Sequence, residues 1–219
     1  MAIRFIDNPN TFLNWNHISK NMKRILRKLF KKYSCEKLIH NYYRLYEAEF
    51  NSVRNDPINI LEVGTFRGES INVWLEYFPN ATIYTIDTFE RILPEELPML
   101  NNIRVSYAKL DSTAPECYEH FKALGQKFDF IIDDGVHTPE GQQKTFDNLI
   151  EFTNTYYIED VWNLDKVKKN HRWIKKHPID FTLAKWKMLL KTINKYTVIH
   201  YDMREGGEPD SYILKVIKK

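Results

Sequence analysis

Cysteine is scarce in this chain. Cys35 and Cys117 are the two among 219 residues, and they stand far apart. That excludes a disulfide-stapled scaffold and points to free thiols in a reducing compartment. No run of about 18 apolar residues occurs, so no transmembrane helix is expected. The start of the chain lacks the short apolar core of a secretory signal. Together these give a cytoplasmic expectation. Glycine is also sparse, with seven in all, so two of them close together, Gly64 and Gly68, draw notice. Charge of either sign is not lacking: the net charge is only +3, but it is unevenly spread. Between Lys20 and Lys32 lie seven basic residues and no acid, with Ile25, Leu26, Leu29 and Phe30 interleaved at helical spacing. Two readings stand: a helix packed on the domain by one face, or a surface that touches a membrane or an anionic partner. A second basic stretch covers 164–176. Neither carries a nucleic-acid-binding motif, so no nucleic acid is expected as a partner.

What is present in quantity is alternation. Residues 1–55 read as a helical segment packed on or capping the remainder; "NYYRLYEAEF" places Tyr42, Leu45, Tyr46 and Phe50 on one face. Asp56-Pro57 breaks that pattern. Residues 56–219 then read as one α/β domain. Strands are predicted at "INILEV", "TIYTID", "IRVSYA", "FDFIID" and "TYYIED". Helices are predicted between them at 68–78, 115–124 and 139–152, with another near 181–194. "YTVIHYDM" and "SYILKVIKK" close the chain as an antiparallel hairpin about the turn "REGGEPD". Such alternation predicts a doubly wound, mostly parallel sheet with helices on both faces. Ligands bind such sheets outside the carboxyl ends of the strands.

The residues just past those ends form a chemical group: Glu62 with Gly64 and Gly68, Asp87, Asp111, Asp133 to His137, and Glu159-Asp160. In "LEVGTFRGES", Gly64 and Gly68 flank a turn from strand to helix, either a ligand-approaching loop or a plain tight turn. Against the dinucleotide fingerprint, Phe66 stands at the middle glycine's place and Glu62 precedes the turn. A pyrophosphate would be repelled by that carboxylate, whereas a ligand ammonium would be attracted. A nicotinamide dinucleotide is therefore disfavoured. Asp87, about 20 residues past the loop, is placed to accept from ribose hydroxyls. Asp111 fits the adenine edge or a plain helix cap equally.

With these residues in view, the chain resembles class I S-adenosylmethionine-dependent methyltransferases. It resembles more narrowly the macrocin/mycinamicin-type sugar O-methyltransferases, a pattern shared by cephalosporin hydroxylase-like proteins. The stretches that carry this are "YYRLYEAEF", "INILEVGTFRGESINVWLEYFPNATIYTID", "FDFIIDDGVHTPEGQQKTFDNL" and "YYIEDVW", over about residues 40 to 162. The resemblance implies a Rossmann-like fold, S-adenosylmethionine as methyl donor, and Mg²⁺. It assigns the cofactor to Glu62, Gly64, Gly68, Ser70, Asp87 and Asp111. It assigns the metal to Asp134, Glu159 and Asp160, and makes His137 the general base, working with Asp134. Asp133 receives no ligand role.

The chemistry is coherent. Mg²⁺ takes oxygen ligands and keeps positions for water or substrate oxygens. It lowers the pKa of a hydroxyl it binds, and an imidazole can then take the proton. The expected acceptor is a sugar hydroxyl of a glycoside, glycan or nucleotide sugar. A catechol-like diol is the alternative, and a non-catalytic cofactor-binding module is the alternative of another class. The segment "VWNLDKVKKNHRWIKKHPIDF" departs from the family pattern and leaves the acceptor open. A homo-oligomer is compatible with the sequence.

Overall fold

Each strand of the α/β region carries apolar residues on both faces, because helices cover the sheet above and below. The computed structural model describes residues 10–12, 25–164, 171–205 and 207–218. Its strands are β1 (Asn10–Phe12), β2 (Asn59–Val63), β3 (Thr82–Asp87), β4 (Val105–Lys109), β5 (Phe130–Asp133), β6 (Thr155–Ile158), β7 (Thr197–Asp202) and β8 (Tyr212–Ile217). They form one sheet in the order β1-β7-β8-β6-β5-β2-β3-β4. Only β8 runs against its neighbours, pairing antiparallel with both β6 and β7. The C-terminal hairpin is thus present, but its second strand is the one that inserts next to β6.

The helices are α1 (Ile25–Lys32), α2 (Tyr43–Phe50), α3 (Glu69–Tyr77), α4 (Pro115–Leu124), α5 (Pro139–Leu149), α6 (Arg172–Lys176) and α7 (Leu183–Ile193). Successive strand residues point to opposite faces, and the two apolar cores follow that alternation. Ile60, Ile132, Tyr157 and Ile213 join Leu26 and Phe30 of α1, Tyr46 and Phe50 of α2, and Ile71 and Trp74 of α3. Leu61, Ile131, Tyr156 and Leu214 join Phe121 of α4, Phe146 and Leu149 of α5, and Trp186 and Leu189 of α7. Trp74 stands edge-on to Phe30, Tyr46 and Phe50, so the N-terminal helices share one core with the sheet.

One expectation is revised. The segment 1–55 is not wholly helical: Asn10–Phe12 form a strand in parallel register with Val198–His200 of β7. Backbone pairing on an open sheet edge decides this, and helical periodicity does not report it. The basic helix is described from Ile25 onward, its first residues 20–24 lying outside the described residues. Over α1 its apolar side, Leu26, Leu29 and Phe30, is buried, while Lys32 pairs with Glu76 of α3. Of the second basic stretch, 165–170 lie outside the described residues, and α6 covers its end. No helix among the described residues is long and apolar enough to cross a membrane.

Local sequence explains the helix starts facing the cavity. Thr138 caps α5 by accepting from Gly141 N–H at 3.1 Å, and Pro139 follows at the first helical position. Gly68 caps α3 with φ +71, a conformation that glycine takes without strain.

Candidate active site

Register brings the strand ends together. Val63 of β2 lies beside Ile86 of β3 and Asp133 of β5, and Asp133 lies beside Ile158 of β6. The next backbone groups continue the ladder: Asp134 N–H donates to Val63 O, and Glu159 N–H donates to Asp133 O. Four predicted sites therefore converge on one edge. Above it is a cavity of about 500 Å³, whose lining includes Gly64, Ser70, Asp87, Asp111, Asp134 and His137.

The cofactor-side residues fall into distinct positions. Gly64 has φ +91, and a Cβ there would stand 2.2 Å from the Asp134 carbonyl oxygen; the turn must be glycine for β2 and β5 to end side by side. Asp87 ties down the following loop. Its Oδ2 accepts from the N–H groups of Thr65 and Phe66, and its Oδ1 from Phe89 N–H, all at 2.9 Å. Asp111 Oδ1 accepts from the N–H and hydroxyl of Thr113. Gly68 is not on the cavity wall; Met99's side chain fills the space beside it. Glu62 is not on the wall either. It is fully buried. Its Oε2 accepts from Trp74 Nε1 at 2.9 Å, and its Oε1 pairs with Lys37 Nζ at 3.2 Å. The ammonium group that Glu62 faces is thus the protein's own.

On the acceptor side, His137 stands between two carboxylates. Its Nε2 is 3.4 Å from Asp134 Oδ1 and its Nδ1 is 3.4 Å from Asp160 Oδ2. Burial opposes the imidazolium, but the two aspartates outweigh it and push His137 up to about 10. Its side chain remains 38% exposed to the cavity, so water moderates that attraction. Burial likewise opposes charge on Asp134, yet Lys37 and His137 hold its carboxyl below the usual range. Atoms of Asp134, His137 and Asp160 lie within 4.8 Å of one another, an arrangement able to hold a metal ion. The two carboxylates suit Mg²⁺ or Mn²⁺, which prefer oxygen donors, while the imidazole is a donor better matched to softer metals. Asp160 sits at φ +51, a strained conformation for a non-glycine residue, of the sort found at functional sites.

Glu159 is placed differently. It is 1% exposed, accepts from Lys37 Nζ at 2.5 Å and from the Tyr46 hydroxyl, and burial pushes its carboxyl well up. Asp133 points to the opposite face of the sheet, where its Oδ2 accepts from Tyr156 at 3.1 Å; burial raises it to about 7.

Sequence reasoning missed what the N-terminal segment delivers. Lys37, on the 3-10 turn Glu36–Leu38, enters the acid cluster. Tyr42 donates to Asp160 and Tyr46 to Glu159. His40 Nδ1 lies 3.0 Å from Ser211 Oγ and 3.6 Å from Asp160 Oδ1. The aromatic face of "NYYRLYEAEF" carried a trace of this, since Tyr42 and Tyr46 lie on it. Nothing local marked Lys37.

The strand order with one reversed strand, and a cavity at the carboxyl ends, define the fold of S-adenosylmethionine-dependent methyltransferases. Solved structures agree on that fold. The mycinamycin-pathway methyltransferase MycE, crystallised with Mg and S-adenosylhomocysteine, superimposes with a TM-score of 0.64 at 20% identity, over 88% of this chain and 54% of that one. The methyltransferase PaMTH1 of Podospora anserina, bound to S-adenosylhomocysteine, gives 0.58 at 13% identity, over 89% and 88%. In sequence, the chain is similar to sugar O-methyltransferases. It is 28% identical over 134 residues to demethylmacrocin O-methyltransferase of Streptomyces fradiae, covering 57% of this chain and 32% of that enzyme. It is 30% identical over 135 residues to a tetracenomycin rhamnosyl 3'-O-methyltransferase of Streptomyces olivaceus, covering 57% and 33%. It is 26% identical to mycinamicin VI 2''-O-methyltransferase of Micromonospora griseorubida, over 57% and 32%. The matched region spans about a third of the length of these relatives. No family model matches the chain.

Proposed function

We propose that this chain is a Mg²⁺-dependent O-methyltransferase that moves a methyl group from S-adenosylmethionine to a sugar hydroxyl of a small glycoside. The observation that carries the reading is His137 held 3.4 Å from both Asp134 and Asp160, on the wall of the cavity that also contains Asp87. The relatives' names specify 2'- and 3'-O-methylation of rhamnosyl tetracenomycin C and 2''-O-methylation of mycinamicin VI, and MycE has been solved with Mg, S-adenosylhomocysteine and mycinamycin VI. Those substrates suggest the class of acceptor.

In this reading Asp87 and the Gly64 loop hold the adenosine part of the methyl donor, with Ser70 and Asp111 at its edges. Asp134 and Asp160 present oxygens to a divalent ion, with Glu159 beside them paired to Lys37. Mg²⁺, when bound, would supply an electrophilic centre that lowers the pKa of neighbouring hydroxyls. Asp160 beside Nδ1 orients the imidazole of His137, and Nε2, which faces Asp134 Oδ1, would take the acceptor's hydroxyl proton once the metal holds that carboxylate. The acceptor oxygen then bonds to the methyl carbon in line. The carbon–sulfur bond breaks with its electron pair going to sulfur, which yields S-adenosylhomocysteine.

The test is transfer of labelled methyl from S-adenosylmethionine to a panel of rhamnosides and other deoxysugar glycosides, with Mg²⁺ and with EDTA. Label in a sugar product, lost in EDTA, is the expected result. Label on catechols alone would move the acceptor class, and no transfer with any acceptor would overturn the reading.

A further inference from the structure

Asp134, Glu159 and Asp160 are not equivalent. Both side-chain oxygens of Glu159 are committed: Oε2 to Lys37 Nζ at 2.5 Å and Oε1 to the Tyr46 hydroxyl. Its backbone carbonyl is held as well, by Gln142 Nε2 at 2.9 Å. Lys37 is only 3% exposed and spans three carboxylates, reaching Asp134 Oδ2 at 2.5 Å and Glu62 Oε1 at 3.2 Å besides Glu159. By contrast, Asp134 Oδ1 and Asp160 Oδ2 are within 3.4 Å of His137, which is 38% exposed, and are not paired with the lysine; all of these residues line the cavity.

We infer that Lys37 is a resident cation of this site: it takes over Glu159, so that a divalent ion is held by Asp134 and Asp160 while Glu159 stays paired with the lysine and does not ligate. The inference rests on the metal reading above and refines it. The physical reason is desolvation. A divalent ion could claim Glu159 only by driving a nearly fully buried ammonium away from its carboxylate partners, which is costly for a charge so little solvated. Asp134 Oδ1 and Asp160 Oδ2 can be claimed without that loss, because their partner His137 is 38% exposed and water can take the place of the lost contact. Lys37 also fixes Asp134 by its other oxygen, and so aims Oδ1 at the ion. It is therefore a positioning residue.

The experiment is a titration of the full chain with Mn²⁺ alone, read by electron paramagnetic resonance, for wild type, Asp160→Asn, Glu159→Gln and Lys37→Met. S-adenosylhomocysteine binding checks that each variant is folded. The expected pattern is one Mn²⁺ in wild type, at least a tenfold loss in Asp160→Asn, and less than a threefold change in Glu159→Gln. Lys37→Met frees Glu159 to ligate and removes a positive charge beside the ion, and these outweigh the lost hold on Asp134 Oδ2, so it should bind Mn²⁺ at least threefold more tightly. Burying acids without their cation can prevent Lys37→Met from folding, but the Glu159→Gln arm decides by itself. If Glu159→Gln loses as much affinity as Asp160→Asn, Glu159 is a direct ligand and the inference is overturned with the metal reading intact. If wild type binds no Mn²⁺, the metal reading falls and takes the inference with it.

Discussion

Tyr42 and Asp160 are joined twice: the phenol donates to Asp160 Oδ1 at 2.5 Å, and the Asp160 backbone N–H donates to the phenol oxygen at 3.2 Å. One side chain from the N-terminal segment thus holds both the carboxylate and the strained backbone of a residue 118 positions away. Tyr42→Phe removes both bonds. Because partners of a metal-binding carboxylate typically matter by about 10–100-fold in metal affinity or activity, the Mg²⁺ concentration for half-maximal methyl transfer should rise within that range. Affinity for S-adenosylhomocysteine should hold, since Asp87 and Gly64 lie elsewhere. An unchanged Mg²⁺ requirement would separate Asp160 from the metal.

Asp87→Ala should strike the cofactor directly. It removes the acceptor of three backbone N–H groups, those of Thr65, Phe66 and Phe89, as well as the proposed ribose contact. A loss of about 1.5–3 kcal/mol in S-adenosylhomocysteine binding is expected for a charged acceptor, measured by calorimetry. Full affinity would place the cofactor somewhere else.

His137→Ala should lower turnover by about 10²–10⁴, the range for a positioned proton acceptor. The pH profile adds a second readout. The aspartates that raise His137 are those proposed to bind Mg²⁺, so filling the metal site neutralises the cause of the rise. The ascending limb of the wild-type rate should move to lower pH as Mg²⁺ is increased. A limb fixed in position at all Mg²⁺ concentrations would mean that His137 and the metal do not share those acids.

Metal-free stability should carry the same signature with a definite sign. A histidine raised in the folded state stabilises it fully below its unfolded value, about 6.5, and loses that contribution as pH rises through about 10. In EDTA, the difference in melting temperature between wild type and His137→Ala should therefore be widest in mildly acidic solution and close above about pH 10. The ring's partial exposure keeps the difference small. A gap that widens with pH would reverse the assignment.

Gly64→Ala should destabilise the fold and disorder the metal side together. The new methyl would meet the Asp134 carbonyl oxygen at 2.2 Å on a backbone at φ +91. The conformation alone costs about 1–3 kcal/mol in a non-glycine residue. Denaturant unfolding should show a loss at or above that range.

Much of this was legible in the sequence because it is local. Strand and helix periods, the Asp134–His137 spacing and the Glu159-Asp160 pair are properties of short stretches. The rule that ligands gather past strand ends then collects them without coordinates. "TIYTID" and "PECYEHFKAL" were placed at their full observed extents. Why Asp134 and not Asp133 faces the cavity also follows from strand alternation once the strand's end is known.

What only the tertiary structure decided are contacts between layers distant in sequence. Lys37 meets Asp134 and Glu159 across 97 and 122 residues, and a single lysine in a polar turn carries no pattern that announces it. Glu62 reads as a partner for a ligand ammonium, and only the fold shows that Lys37 Nζ stands beside it. Asp134, Glu159 and Asp160 read as equal until burial and hydrogen bonds sort them. The physical reason is range: backbone periodicity is set by neighbours a few residues apart, while the charge state and availability of a carboxylate are set by whatever the packed fold brings within a few ångströms of it.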